Sequence, residues 1–202
     1  MKKGLWYIVT VLATLIIFIG ARFTFMPETI ATHFHANFAI FIDGKRMDLS
    51  DKKYMEDVTG CRPDYLPMQP KERTHMHNGE DTVVHVHDEG VTWGHFFSTL
   101  GFAFGETYLS LDHEKVYFSK GGRNLKFILN GELAVNPFNQ LIQSEDRLLI
   151  SFGTESLQRL LQVQWPEVSE TAHEHNDHPD PGSCSGTIEL PAWDKLKKAV
   201  WY

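Results

Sequence analysis

His33-Phe34-His35-Ala36-Asn37-Phe38-Ala39-Ile40-Phe41-Ile42-Asp43-Gly44 alternates with a period of two. Phe34, Ala36, Phe38, Ile40 and Ile42 fall on one face, and His33, His35 and Asn37 on the other. Successive side chains of an extended strand point to opposite faces, so the stretch reads as a half-buried strand. Asp43-Gly44 is a two-residue hairpin turn, with residues 45–49 as the return strand. The apolar face accounts for packing. His33 and His35 lie off it and need some explanation other than filling the core.

A second stretch repeats the theme. Thr74-His75-Met76-His77-Asn78-Gly79-Glu80-Asp81-Thr82-Val83-Val84-His85-Val86-His87-Asp88 holds two His-x-His pairs. Each pair on a strand aims two imidazoles to one side, and imidazole is the commonest protein ligand for transition metals. Residues 83–87 are β-branched and read as a strand. Asn78-Gly79 is a turn signal. A strict two-residue hairpin there sets His77 opposite Glu80 and leaves His85 and His87 too far along to meet His75 and His77. A wider loop, or a separate strand pairing, is needed if all four share an ion.

Thr92 is an N-cap for a helix with Trp93, Phe96, Phe97 and Leu100 on one face and Gly101 at its end. His95 sits at its third position, either as a neutral ligand or as a capping side chain. Further strands are expected in residues 102–119 and over 125–129 and 147–152, with Asn130-Gly131 as another hairpin turn. Thr154 is expected to cap a short helix whose inner face is Leu157, Leu160 and Leu161, ending before Pro166. Residues 50–72 form a long irregular loop.

Of the 11 histidines, ten fall within 33–35, 75–95 and 173–178, so their placement is not uniform usage. The tail from Thr171 to Cys184 carries His173, His175 and His178 among acids and prolines. It reads as a secondary metal-capturing tract or as an acidic loop. The chain of 202 residues suits one packed domain plus appendages. Net charge of −7 without a basic run excludes nucleic acid as a natural partner.

Met1-Lys2-Lys3 precedes an uncharged apolar run over residues 4–20. Its length suits an uncleaved membrane anchor, with the lysines favouring a cytoplasmic N-terminus and the rest of the chain outside. A signal peptide is the rival, but Phe18-Ile19-Gly20-Ala21-Arg22 is a poor cleavage site. In an exported chain the single distant pair Cys61 and Cys184 reads as a disulfide, with two soft metal ligands as the alternative. Trp193, Trp201 and Tyr202 suggest that the end of the chain docks on the body.

These readings give an α+β fold. An N-terminal transmembrane helix (1–25) precedes one mainly antiparallel β domain with hairpins and one or two short helices (26–165), then a His-rich tail and C-terminal segment (166–202). The candidate metal ligands are His33, His35, His75, His77, His85, His87 and His95, and the first four make the best set. Glu80, Asp81 or Asp88 could add a carboxylate. A hydrogen-bonded histidine network without metal is the bland alternative. Met68 and Met76 near the cluster tip the metal slightly towards copper over zinc, since thioether suits Cu(I). The function expected is extracytoplasmic metal capture, handling or delivery, with an envelope protein as transfer partner. A metal-dependent enzyme is the alternative, because three ligands with an open position suffice for catalysis.

Two resemblances bear on this. His75-x-His77-x-x-Glu80 is similar to the His-x-His…Glu motif of cupins, which implies an oxygenase- or hydrolase-like use of the cluster. The spacing to Glu is shorter here, and Lys71-Glu72-Arg73 stands where a cupin has its glycine approach. More broadly, His33-x-His35-Ala36, Thr74-His75-x-His77, Val84-His85-Val86, Phe96-Phe97, Asn130-Gly131 and Asp146-Arg147-Leu148-Leu149-Ile150 resemble an uncharacterised group of small, membrane-anchored, His-rich bacterial envelope proteins. The resemblance covers roughly residues 32–153. It implies a single anchored domain and no particular reaction. Members often carry an acid where His87 stands, which makes His87 the ligand least supported by that comparison.

Overall fold

Residues 4–20 contain neither charge nor proline, so nothing interrupts a helix there. Helix α1 (Lys2–Phe25) results. Its Trp6–Phe25 portion has 20 residues, none of them buried. That is about 30 Å of helix, the thickness of a bilayer core. Among the described residues it is the helix long and apolar enough to cross a membrane. The computed structural model describes residues 2–25, 29–30, 32–57, 68–112, 114–177, 188–189 and 192–201. They form two compact units, one of residues 1–31 and 187–202 and one of residues 32–186. The first unit continues from α1 into strand β1 (Thr29–Ile30).

In the second unit the elements follow as β2 (Phe34–Ile42), β3 (Lys45–Arg46), α2 (Pro70–Arg73), β4 (Thr74–His75), β5 (Val83–Val86) and α3 (Trp93–Thr99). Then come β6 (Ala103–Phe104), β7 (Tyr108–Leu111), β8 (Lys115–Phe118), β9 (Asn124–Leu129), β10 (Glu132–Ala134), β11 (Arg147–Gly153), α4 (Leu157–Arg159) and α5 (Ala172–Asn176). A mixed sheet has the order β10-β9-β11-β2-β5-β4, with β3 also on β2. Within this sheet β2 and β11 run parallel, from Asn37 beside Arg147 to Ile42 beside Phe152. Strands β6, β7 and β8 form a separate antiparallel meander. The fold is α+β, as the residue pattern indicates.

Both expected hairpin turns are present. Asp43 and Gly44 have φ of 49° and 78°, and Asn130 and Gly131 have 52° and 84°. Two consecutive left-handed residues match the twist of the flanking strands. The return strand is shorter than expected, stopping at Arg46. Beyond it the Leu49 N–H turns away to Asp81 Oδ2 at 3.2 Å, and the Leu49 side chain enters the core. Helix α3 starts on Thr92, whose hydroxyl accepts the His95 N–H at 3.1 Å. It ends with Gly101 at φ 77°, where Gly101 N–H reaches Ser98 O and Phe102 N–H reaches Phe97 O. This double closure satisfies carbonyls that the last turn leaves open.

Both faces of β2 are covered. Ala36, Phe38 and Ile40 join Met76, Val84, Val86, Trp93, Phe96 and Phe97 in the main core. On the other face Ala39 and Phe41 pack with Ile128, Leu149, Leu160 and Val168. The expectation of a half-buried strand is corrected here. Residues 157–176 fold back over the second face and bury it.

That return segment also differs from expectation. Its helix is capped by Ser156, not Thr154, with the hydroxyl accepting Arg159 N–H at 3.3 Å. Leu160 alone points inward, while Leu157 and Leu161 are exposed. A wide turn at Leu160–Gln164 breaks the 3.6-residue period, which moves Leu161 off the inner face. Pro166 does not end the helical path. It sits in the first turn of a tight helix, Trp165–Glu167, where a missing N–H costs nothing.

The first unit closes with β12 (Ile188–Glu189), antiparallel to β1, and helix α6 (Ala192–Trp201). Helix α6 packs on α1, with the Lys195 ammonium 5.2 Å from the centre of the Phe23 ring. Within the first unit the chain end thus has α1 as its partner. Trp193 stays exposed, and Tyr202 lies outside the described residues.

Candidate metal centre

Register decides which histidines meet. Strand β2 pairs antiparallel with β5 so that His35 lies beside His85. On its other side β5 pairs with β4, with His75 beside His85. One row across three strands is therefore His35, His85, His75. Residues two positions away keep the same face, which adds His33, His87 and His77. The loop from His77 to Val83 is wider than a two-residue turn, and this extra length brings His75 level with His85. Five of these rings, those of His35, His75, His77, His85 and His87, are buried.

The rings are in direct contact. Centroids lie 3.9 Å apart for His77 and His85, 4.7 Å for His33 and His87, and 4.9 Å for His75 and His87. His33, His85 and His87 each offer a ligand atom, and the three atoms all lie within 4.8 Å of one another. A zinc–imidazole bond of about 2.0–2.1 Å with tetrahedral angles puts bound nitrogens about 3.4 Å apart. The widest allowed pair would have to close by about 1.4 Å, a shift that small ring rotations can supply. The three residues could hold a metal ion.

Around this group the hydrogen bonds orient rings. His75 Nδ1 lies 2.7 Å from Lys71 O, so that nitrogen carries a proton. His35 Nε2 lies 2.9 Å from His85 Nδ1. His35 Nδ1 in turn lies 2.9 Å from Asn176 Oδ1.

Asn176 comes from the His-rich tail. Helix α5 lies over β2 on the histidine face. Its start is fixed by Asn37, a fully buried amide whose Oδ1 accepts Ala172 N–H at 2.9 Å and whose Nδ2 donates to Thr82 O at 3.0 Å. Its end is fixed by Asn176, which also donates to Ser144 Oγ at 3.0 Å. Arg147 holds the approach, donating from Nε to Ser169 O at 3.1 Å and stacking on Trp165. The tail is thus part of the site. His175 joins the cluster, its ring 5.4 Å from that of His35, and its Nε2 lies 3.2 Å from Glu80 Oε2.

No family model matches this sequence, and no curated protein or solved structure matches it.

The remaining candidates fall elsewhere. His95 is exposed, and its Nδ1 accepts the Thr92 N–H at 3.2 Å, which makes it a helix cap. His173 is exposed beside Glu170 O. Asp81 is bound to Arg46, and Asp88 to Arg73 at 2.6 Å, whereas Glu80 reaches His175 of the cluster. Met76 is buried in the main core, on the opposite face from His75 and His77. Strand alternation requires this, and it removes Met76 as a thioether ligand. His178, Cys61 and Cys184 lie outside the described residues. Asn37 and Asn176 tie helix α5 to the histidine face, and the sequence pattern gave neither of them a role. A buried amide between His35 and Ala39 was a visible signal for the first, and nothing local marks the second.

Proposed function

We propose that this protein is a membrane-anchored, extracytoplasmic binder of a transition-metal ion. The ion is copper or zinc, held by His33, His85 and His87, for capture, handling or delivery to an envelope partner. The observation that carries the reading is the convergence of three ring nitrogens within 4.8 Å on one covered face of adjacent strands. The imidazole set suits copper and zinc alike. With Met76 on the far face, the preference for copper loses the support of that thioether. Lys2 and Lys3 before α1 favour a cytoplasmic N-terminus and hence an external domain. Full-length protein in detergent, stripped of metal and titrated with Zn²⁺ and with Cu⁺ or Cu²⁺, should take up about one equivalent. A chain that takes up neither ion overturns the proposal.

The three-ligand count favours one second reading, a metalloenzyme with its fourth position open to water. X-ray absorption on the loaded protein separates the two. Four imidazoles per ion support a binding protein, and three with a light oxygen ligand support catalysis.

A further inference from the structure

Helix α6 leaves apolar side chains uncovered. At about 100° per residue Trp193, Leu196 and Val200 fall within about 60° of arc. All three are exposed, while Lys195 and Ala199 are buried. The exposed stripe borders an open apolar groove of about 580 Å³, lined by Ile16, Ile19 and Phe23 of α1 and by Trp193 and Leu196 of α6. Strand pairing fixes where α6 begins. Thr29 lies beside Glu189, four residues past the end of α1 and three before the start of α6. The chain therefore returns to the end of α1. Charge marks a level there: Arg22 is partly buried, and the Lys195 ammonium is 5.2 Å from the centre of the Phe23 ring. In a bilayer such heads stay among the headgroups while their stems lie along apolar surface. Ile16 lies six residues before Arg22, about 9 Å further along the axis and below that level. The groove thus reaches from headgroup level to the depth of acyl chains.

We propose that α6 is a second membrane contact: a helix lying in the bilayer surface, with Trp193, Leu196 and Val200 entering the leaflet at the Phe25 end of α1 and a lipid acyl chain filling the α1–α6 groove. This rests on the membrane-anchor reading of α1. Helix α1 forms one wall of the groove and is unburied along its apolar length, so whatever surrounds the span also meets the groove. A helix in the interface sinks its apolar face about 5–10 Å into the headgroup and acyl boundary, which matches the depth of the groove. Tryptophan is at home at that boundary. Residues 192–201 hold three lysines and one aspartate, a balance that suits anionic headgroups. The chain between the two helices is then tied to the membrane by both of its ends.

The test uses full-length protein in vesicles of phosphatidylethanolamine and phosphatidylglycerol. The photoreactive residue benzoylphenylalanine replaces Leu12, Leu196 or Val200 in turn, and mass spectrometry reads adducts after irradiation. Leu12 lies within the span, Leu196 lines the groove, and Val200 is exposed beyond it, where a bulky probe leaves the α1 contact intact. Lipid adducts should form at all three, with yields at 196 and 200 within about threefold of that at 12, since an interfacial helix keeps its apolar face among acyl chains. Adducts at 12 but not at both 196 and 200 overturn the inference and leave the anchor standing. Crosslinks from 196 or 200 to a second copy of the chain, in place of lipid, overturn it too. No lipid adduct at 12 overturns the anchor reading, and the inference with it.

Discussion

Asn37 Oδ1 accepts the backbone N–H of Ala172 at 2.9 Å, although 135 positions of chain separate them. This one bond ties the first strand of the body to the helix that covers its histidines. Replacing it strands polar groups in the interior, at about 1–3 kcal/mol for each group left unsatisfied. Asn37→Leu should therefore lower the urea midpoint, and amide exchange over residues 172–176 should quicken while the β9–β10 hairpin keeps its protection. Equal protection at residues 172–176 in both proteins would show that the amide is not the tie.

Ligand substitutions should separate the clustered histidines from the scattered ones. His33→Ala, His85→Ala and His87→Ala should each weaken zinc uptake by more than about 100-fold, beyond the range seen for residues one step removed. His95→Ala and His173→Ala should leave it unchanged, because one caps α3 and the other lies exposed beside Glu170. Equilibrium titration of the five variants checks this. A loss on His95→Ala equal to that on His87→Ala would refute the assignment.

Met76 gives a test of face. Its side chain is fully buried in the main core. Met76→Ala should cost about 2–5 kcal/mol of stability, and Met76→Leu less than about 1.5 kcal/mol. Neither Met76→Leu nor the wild type should differ in Cu⁺ affinity. A drop in Cu⁺ affinity with Leu would place the thioether at the ion after all.

Metal should stabilise the fold, since the three ligands come from two strands that unfolding separates. An ion bound only by the native state adds about 2.7 kcal/mol at 100 times Kd. The Tm should rise with added Zn²⁺ and fall back on chelation. Protons compete for imidazole lone pairs, so the increment should shrink in acid. A Tm indifferent to zinc at neutral pH would contradict binding at this site.

Away from the centre, Lys53 Nζ and the Tyr54 hydroxyl both bond Asp112 Oδ2 at 2.8 Å. Burial works to raise the Asp112 carboxyl, but the bonds from Lys53 and Tyr54 outweigh it and hold the group below the ordinary aspartate range. Burial raises the Tyr54 phenol first, and the bond to Asp112 adds to this. A depressed carboxylate contributes stability that is complete above the ordinary value of about 4 and is lost as pH falls through its own lower one. Lys53 is raised, chiefly by its bond to Asp112, so its share is complete below the ordinary lysine value and is lost only as pH rises beyond that. The stability gap between wild type and Asp112→Asn should narrow from pH 7 to pH 3 in urea titrations. A gap constant over that range would exclude a role for the carboxylate charge.

Local rules made much of this legible. Alternation along β2, the Asp43-Gly44 and Asn130-Gly131 turns and the cap at Thr92 each depend on neighbours in sequence, and each is present. The same alternation could have been pressed further. Met76 lies between His75 and His77 and so had to face away, and Ala39 and Phe41 already signalled a second covered face. Other features had no local signature. The parallel pairing of β2 with β11 is a long-range contact. The wide loop after His77, which sets His75 beside His85, follows from the ladder rather than from Asn78-Gly79. The placement of α5 depends on bonds between distant parts of the chain, Asn37 with Ala172 and Asn176 with His35.

The position of β2 between β5 and β11 sets an order in time. All three ligands are made before residue 88, but the second neighbour of their strand ends at Gly153, and the covering helix at Asn176. A chain still emerging from the ribosome or a translocation pore thus carries its imidazoles long before it has walls around them. On the metal-binding reading proposed above, the covered site exists only in a chain that is already complete to Asn176.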